Sequence, residues 1–374
     1  MLKYWMYGLP KDNKKESVGF LKQKGFDCLV TAPDEEAAEI ASDAAMEFYA
    51  CIGTYSRESF SDEYLSVDIN GNRQVWFNST CPNRSEVREA NIEAIGRIAR
   101  SEGVKGVFID GCRFASPASG LDAFFTCFCP ACEKKAEAMG YDFPAMRRDV
   151  RELYRIVSGA SVGVGWNAIA EGIFNLLHLL VRFPGVMEWL RFREECTTEH
   201  ISALSKVVRS VKKGISFGIY SFTPLLSPLV GQSYLKLRDH IDIFSPMIYR
   251  NYPSPDGPAC LNRELYEIAG WFKWAATAEA EKLSLLFNLC GYPIRYWTLS
   301  QLDRELPVEA IKWETKKARA LIDQGKELAP IIYLDDDRIE DAVRAVKEGG
   351  ADGVAFFIYK EEWKDKLERA AEVG

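Results

Sequence analysis

Histidine is scarce in this 374-residue chain, with only His178, His200 and His240. No HExxH pattern occurs and no acid stands at ligand spacing from any of the three, which argues against a histidine-ligated zinc hydrolase or a histidine-based triad. All three are read as structural residues of helical stretches. Excess positive charge is missing as well: the formal net charge is -7. Runs such as KVVRSVKK read as solvated helix faces, so no nucleic-acid partner is expected, because tracking phosphates needs clustered Lys and Arg. No apolar run reaches the roughly 18 residues of a membrane span. The longest, AIAEGIFNLLHLLVRF (Ala168 to Phe183), is broken by Glu171, Asn175 and His178. It reads as a buried helix or an interface on which a homodimer can form.

A glycine-rich nucleotide turn is also absent after the first strand, where GLPKDNKK stands instead. The near match GVGWNA (Gly163 to Ala168) follows no strand and is rejected. There is no internal repeat or low-complexity segment. The opening MLKYWMYGLPKDNKK carries neither an apolar signal core nor a small-residue cleavage site, so a cytoplasmic location is expected. Ten cysteines in that compartment should be reduced thiols, most of them small core residues.

What is present is a recurrence of short β-type runs between helical ones. The runs are Lys3 to Tyr7, Asp27 to Thr31, Glu47 to Ile52, Gly106 to Asp110, Ile215 to Tyr220, Asp242 to Tyr249, Pro330 to Leu334 and Gly353 to Tyr359. Stretches such as REANIEAIGRIARSEG and DRIEDAVRAVKEGGADG place apolar residues three and four apart and end in Gly, as helices do. A further apolar run, Lys282 to Gly291, continues the helical WFKWAATAEAE without a turn residue and is counted as helix or insertion. Eight strands with intervening helices favour an α/β fold of the (β/α)8 TIM-barrel type, with residues 1–374 as a single barrel domain. Long excursions leave after the third and fourth strands, from the ends that form the active-site face of a barrel. The second, within residues 111–213, is expected to form a lid or interface subdomain.

Alternation in GVFID puts Gly106, Phe108 and Asp110 on one face and Val107 and Ile109 on the other. Asp110 then points into the barrel mouth. The same parity pairs Tyr333 with Asp335 in PIIYLDDD and Met247 with Tyr249 in FSPMIYRN. Paired carboxylates at a mouth suit glycosidic-bond hydrolysis, in which one acid protonates the leaving oxygen and the other attacks carbon or activates water. Asp110 is the candidate nucleophile or base and Asp335 or Asp336 the candidate acid; the last two also sit where a helix cap is expected. Trp5, Tyr7, Tyr249, Tyr333 and Tyr359 end strands, where aromatic planes can pack on the C–H faces of sugars. Glu361 reads as a solvated charge. TCFCPAC brings Cys127, Cys129 and Cys132 close enough to converge on a structural zinc, for which Cys112, Cys81 or a distant His would be the fourth ligand.

The order GVFIDGCRF, TCFCPAC, WLRFREECTTEHISALSKVVRSV and GQSYLKLRDHIDIFSPMIYRN resembles the glycoside-hydrolase-like TIM-barrel families of bacteria and archaea, over roughly Lys105 to Asn251. The resemblance implies that Asp110 is a catalytic carboxylate and that Arg113, Tyr249 and Arg250 surround the sugar subsite. It assigns no second carboxylate. The expectation is a glycosidase acting on a carbohydrate, with no cofactor for catalysis and no membrane partner. The alternatives are a barrel lyase or isomerase of a phosphorylated metabolite, hinted at by GGADGVAFF, and a carbohydrate-binding barrel without turnover.

Overall fold

The computed structural model describes residues 2–159, 180–252, 260–271 and 279–373. Most of the apolar stretch Ala168 to Phe183, the rejected GVGWNA and His178 lie outside the described residues.

Strands form where short apolar runs are bounded by Gly, Asp or Pro. They are β1 (Lys3–Tyr7), β2 (Cys28–Thr31), β3 (Glu47–Gly53), the two-residue pair β4 (Ser66–Val67) and β5 (Arg73–Gln74), β6 (Val104–Asp110), β7 (Ser216–Ser221), β8 (Ile243–Pro246), β9 (Glu327–Leu328), β10 (Ile331–Tyr333) and β11 (Gly353–Phe357). Every run expected to be a strand contains one; β4, β5 and β9 are additional. β4 and β5 pair antiparallel as a small ribbon. The other nine build one curled parallel sheet in the order β10-β11-β1-β2-β3-β6-β7-β8-β9. Its two outer strands, β9 and β10, are separated only by Ala329 and Pro330, the proline lacking the N–H that a continuous ladder needs. Ala329 N donates to Phe244 O, Met247 pairs in parallel with Ile331, and Ile248 N donates to Ile331 O (3.0 Å). The two edges of the sheet thus meet the same segment of chain.

Helices cover the outside. Ser85–Arg100 buries Val87, Asn91, Ile95 and Ala99, one residue per turn, and Ile339–Glu348 buries Ile339, Ala342, Val343 and Val346. The run Lys282 to Gly291 is helical as far as Cys290, in helix Glu279–Cys290.

Side chains fill the inside of the sheet. Phe108 of β6 meets Trp5, Tyr49 and Tyr220 at 4.9–5.8 Å between ring centres. A second apolar cluster lies in the excursion after β6, where helices Phe143–Val157 and Pro184–Val211 pack with Phe114, Phe125 and Trp189. Asp149 accepts a hydrogen bond from Gly185 N at the start of the second helix (2.9 Å). Arg193 runs through this cluster with its guanidinium over Trp189, Phe114 and Phe124, donating to Leu229 O and Phe124 O.

Candidate functional site

β6 ends as the parity of GVFID requires. A β-carbon on Gly106 would lie 2.6 Å from the Tyr49 ring, so Gly106, Phe108 and Asp110 share the inner face. Beyond the strand the chain is fixed from several sides. Thr54 N and Oγ1 donate to Asp110 O (2.8 and 2.9 Å), Gln232 Nε2 donates to Cys112 O, and Phe114 N donates to Val230 O.

The Asp110 carboxyl is half-buried and takes one hydrogen bond, from Gly111 N at 2.7 Å. Burial raises its pKa against the opposing pull of that N–H and of Arg113. Its charge reaches the hydroxyls of Tyr7, Tyr220 and Tyr249, whose own pKa values burial pushes up. An aromatic lining continues around these rings. Tyr7 contacts Tyr220 and Phe357 (both 5.3 Å), Phe357 contacts Tyr249 (5.5 Å), and Tyr252 bridges Phe357 and Tyr333.

Arg113 is 5% exposed and is not locked onto Asp110. Its guanidinium lies over Trp76 and Phe222, at 4.8 and 4.9 Å, and Nη1 donates to Phe114 O. Behind it stands Glu264, on helix Leu261–Trp271 and fully buried, accepting from Ser116 Oγ (2.7 Å) and Ala118 N (2.8 Å). Burial pushes the Glu264 carboxyl up to about 7.

The other expected residues divide. Tyr7, Tyr249 and Tyr333 join the lining. Trp5 does not: it packs deeper in the sheet on Tyr49 and Phe108, with the ammonium of Lys3 over its ring. Arg250 and Asp336 consume one another in a buried bidentate pair (Nε to Oδ2 2.6 Å), and Arg250 also donates to Glu305 and Leu306 O. Asp336 in addition accepts from Arg338 N in the turn before helix Ile339–Glu348, whose first turn it does not cap. Asp335 is half-buried, close enough to Tyr333 to act on its hydroxyl, and ion-paired with Lys366. Tyr359 turns to Glu361 (2.9 Å), which is also bound by Ser17.

Several lining residues are not among those singled out from the sequence: Phe357, Tyr220, Tyr252, Trp76, Phe222 and Glu264. For Phe357 the parity signal exists, since it shares a face with Gly353, which lies against Trp5. The run GASVG (residues 159–163) has GxSxG spacing and comes after the helix Phe143–Val157 in the chain; its residues 160–163 lie outside the described residues.

The cysteines of TCFCPAC come together, and Cys81 joins them. The four sulfurs, all buried, lie within 4.8 Å of one another, with Cys81 Sγ 3.5 Å from both Cys129 Sγ and Cys132 Sγ. Tetrahedral zinc with Zn–S near 2.3 Å needs S–S edges of about 3.8 Å. Val67 N donates to Cys127 Sγ, Asn83 N to Cys81 Sγ and Asn83 Nδ2 to Cys132 Sγ, as a shell around thiolates would. Cys112 is apart, against Tyr55. Nor is His200 part of the cluster: it stacks on Tyr55, contacts Asn91, and is held neutral by burial with its pKa down at about 3.

No family model matches the sequence, and no curated protein matches it. Solved structures do. The catalytic domain of β-amylase from Paenibacillus polymyxa superposes with a TM-score of 0.58 at 12% identity, over 100% of this chain and 98% of that one. The PgaB glycoside hydrolase domain from Bordetella bronchiseptica gives 0.57 at 10% identity, over 100% and 98%. The β-galactosidase of Marinomonas gives 0.58 at 11% identity, over 99% of this chain and 59% of the enzyme. At such identities the likeness is one of fold alone: this chain shares the fold of these three proteins.

Proposed function

We propose that this chain is a glycoside hydrolase on a (β/α)8 barrel, cleaving a glycosidic bond with Asp110 and Asp335 at the mouth. The observation that carries the reading is the half-buried Asp110 carboxyl, set in an aromatic lining at the end of β6, on a fold that glycoside hydrolases use. Treating β9 and β10 as one interrupted strand, as the Met247 and Ile331 bridge suggests, gives the eight strands of that barrel. Burial favours the protonated form of Asp110, which suits the acid that protonates the leaving oxygen. Asp335, ion-paired with Lys366, supplies the nucleophile or base; Asp336 is spent on Arg250. A separation near 5 Å between the two carboxyls in the complex would mean retention and a larger one inversion. Tyr7, Tyr249 and Tyr333 hold the sugar, and Arg113 flanks it.

Proton and nucleophile both come from side chains, so the reaction as proposed uses no cofactor. Cys81, Cys127, Cys129 and Cys132 are assigned a structural zinc ion.

Aryl glycosides and oligosaccharides test the reading. Asp110→Asn should lower kcat about 10²–10⁴-fold on substrates with poor leaving groups. It should lower it much less on dinitrophenyl glycosides, whose leaving group needs no proton. Unchanged turnover in Asp110→Asn sinks the assignment, and sugar binding with no turnover by the wild type favours the carbohydrate-binding alternative.

A further inference from the structure

Phe77 lies in the excursion that links β5 to helix Ser85–Arg100, and its ring is 49% exposed. Its position is costly to maintain. Phe77 and Asn78 adopt left-handed backbone angles in succession, with φ of 46° and 49°. Bulky aromatic residues avoid that conformation, which persists only where the surroundings enforce it.

The surroundings do enforce it. Arg57 N donates to Asn78 O, Ser79 N to Trp76 O and Thr80 N to Tyr55 O (2.7–2.9 Å), and Ser56 pairs with Ser79. Trp76 is buried under the Arg113 guanidinium. The loop is therefore braced on both sides of Phe77, and the brace holds an aromatic face in solvent. It does so next to the catalytic candidate: a β-carbon on Gly111 would lie 3.5 Å from the Phe77 ring, and Gly111 N is the donor to Asp110 Oδ1.

We infer that Phe77 is the stacking platform of a second sugar subsite at the lip of the mouth, so that the preferred ligand is an oligosaccharide and not a single glycosyl unit. This rests on the glycoside-hydrolase reading of the Asp110 mouth. A pyranose presents a face of C–H bonds that packs on an aromatic plane, and a ring on Phe77 would be the neighbour of the ring whose bond lies at Asp110.

The test is a glycan array printed with matched mono-, di- and tetrasaccharides, probed with the full-length Asp110→Asn protein, alone and combined with Phe77→Ala, Phe77→Asn or Phe77→Trp. Wild-type turnover of the same sugars is followed in parallel. Asp110→Asn should capture oligosaccharides in preference to monosaccharides. Phe77→Ala and Phe77→Asn should weaken that capture about five- to tenfold, the worth of one aromatic stacking contact, and Phe77→Trp should retain it. Asn is at home in the left-handed region, so Phe77→Asn should lose binding while its melting temperature holds or rises. Equal capture by the Phe77 variants overturns the platform, as does a failure of Asp110→Asn to capture any oligosaccharide. Phe77-dependent capture of sugars that the wild type never cleaves overturns the hydrolase reading and leaves the platform standing. Cleavage with capture indifferent to Phe77 does the reverse.

Discussion

Glu264 illustrates how one buried acid makes stability depend on pH. Its two oxygens take hydrogen bonds from Ser116 Oγ and Ala118 N, which favour the ionised form, as does Arg113; burial outweighs them, and Glu267 adds to it. With a folded pKa at about 7 and an unfolded one near the ordinary 4.3, the folded state holds a proton in that window that the unfolded chain has lost. Stability from this residue is therefore present at acid pH and lost as pH rises toward 7, by roughly 4 kcal/mol in all. His200 works in the opposite sense, because its folded pKa of about 3 costs stability as pH falls below 6.5. The informative measurement is consequently the difference between wild type and Glu264→Gln in urea unfolding from pH 4 to 8. Gln can accept from Ala118 N and donate to Ser116 Oγ, so the variant should gain on the wild type with rising pH. Parallel curves would show that Glu264 ionises freely. None of this is legible in the sequence, where Glu264 is one acid of the helix LNRELYEIAGW and its burial depends on a loop 146 residues earlier. Asp336 was open to misreading for the same reason, since Arg250 comes from a segment 86 residues away.

At the scale of elements, the four cysteines tie two excursions together. Cys81 precedes helix Ser85–Arg100, whereas Cys127 and Cys129 precede helix Pro130–Ala138 and Cys132 lies within it. The β4–β5 ribbon adds a bridge from Asp68 to Thr126 and a hydrogen bond from Phe128 N to Val67 O. A zinc ion here would act as a clamp between segments that carry Trp76 and Arg113. The purified protein should contain about one zinc per chain, and Cys81→Ser should lose the metal together with several kcal/mol of stability. Turnover should fall as well, because Trp76 and Phe77 sit on the segment released. Metal-free protein with an unaltered melting temperature would reduce the cluster to packed thiols. The CxCxxC spacing was legible because three ligands lie within six residues; Cys81 stands 46 residues before Cys127, and only folding of the ribbon brings it in. Strands were legible for the complementary reason that each is a local apolar run with a turn residue at its end. β9 escaped because two residues, Glu327 and Leu328, carry no period.

For the molecule as a whole, the mouth stands on a layer of rings that only glycine can admit. A β-carbon on Gly218 would lie 2.6–2.7 Å from three carbons of the Phe108 ring, and one on Gly353 would press on Trp5 and on Lys3 O. Phe108 cannot swing away, because Trp5, Tyr49 and Tyr220 surround it. Gly218→Ala should therefore cost about 1–3 kcal/mol in urea unfolding, as overpacking of a filled interior does. Phe108→Leu alone leaves a void and should also destabilise. The two together should cost less than their sum, by about 0.5–3 kcal/mol, because the smaller Leu makes room for the added methyl. Strict additivity would mean that the two strands do not share one packed layer. The layer also reaches Asp110, since Tyr220 touches both Phe108 and Tyr7 and its hydroxyl lies within reach of the Asp110 charge. Gly218→Ala should accordingly lower turnover as well as stability, although it touches no sugar, and Phe108→Leu in the same chain should restore part of both.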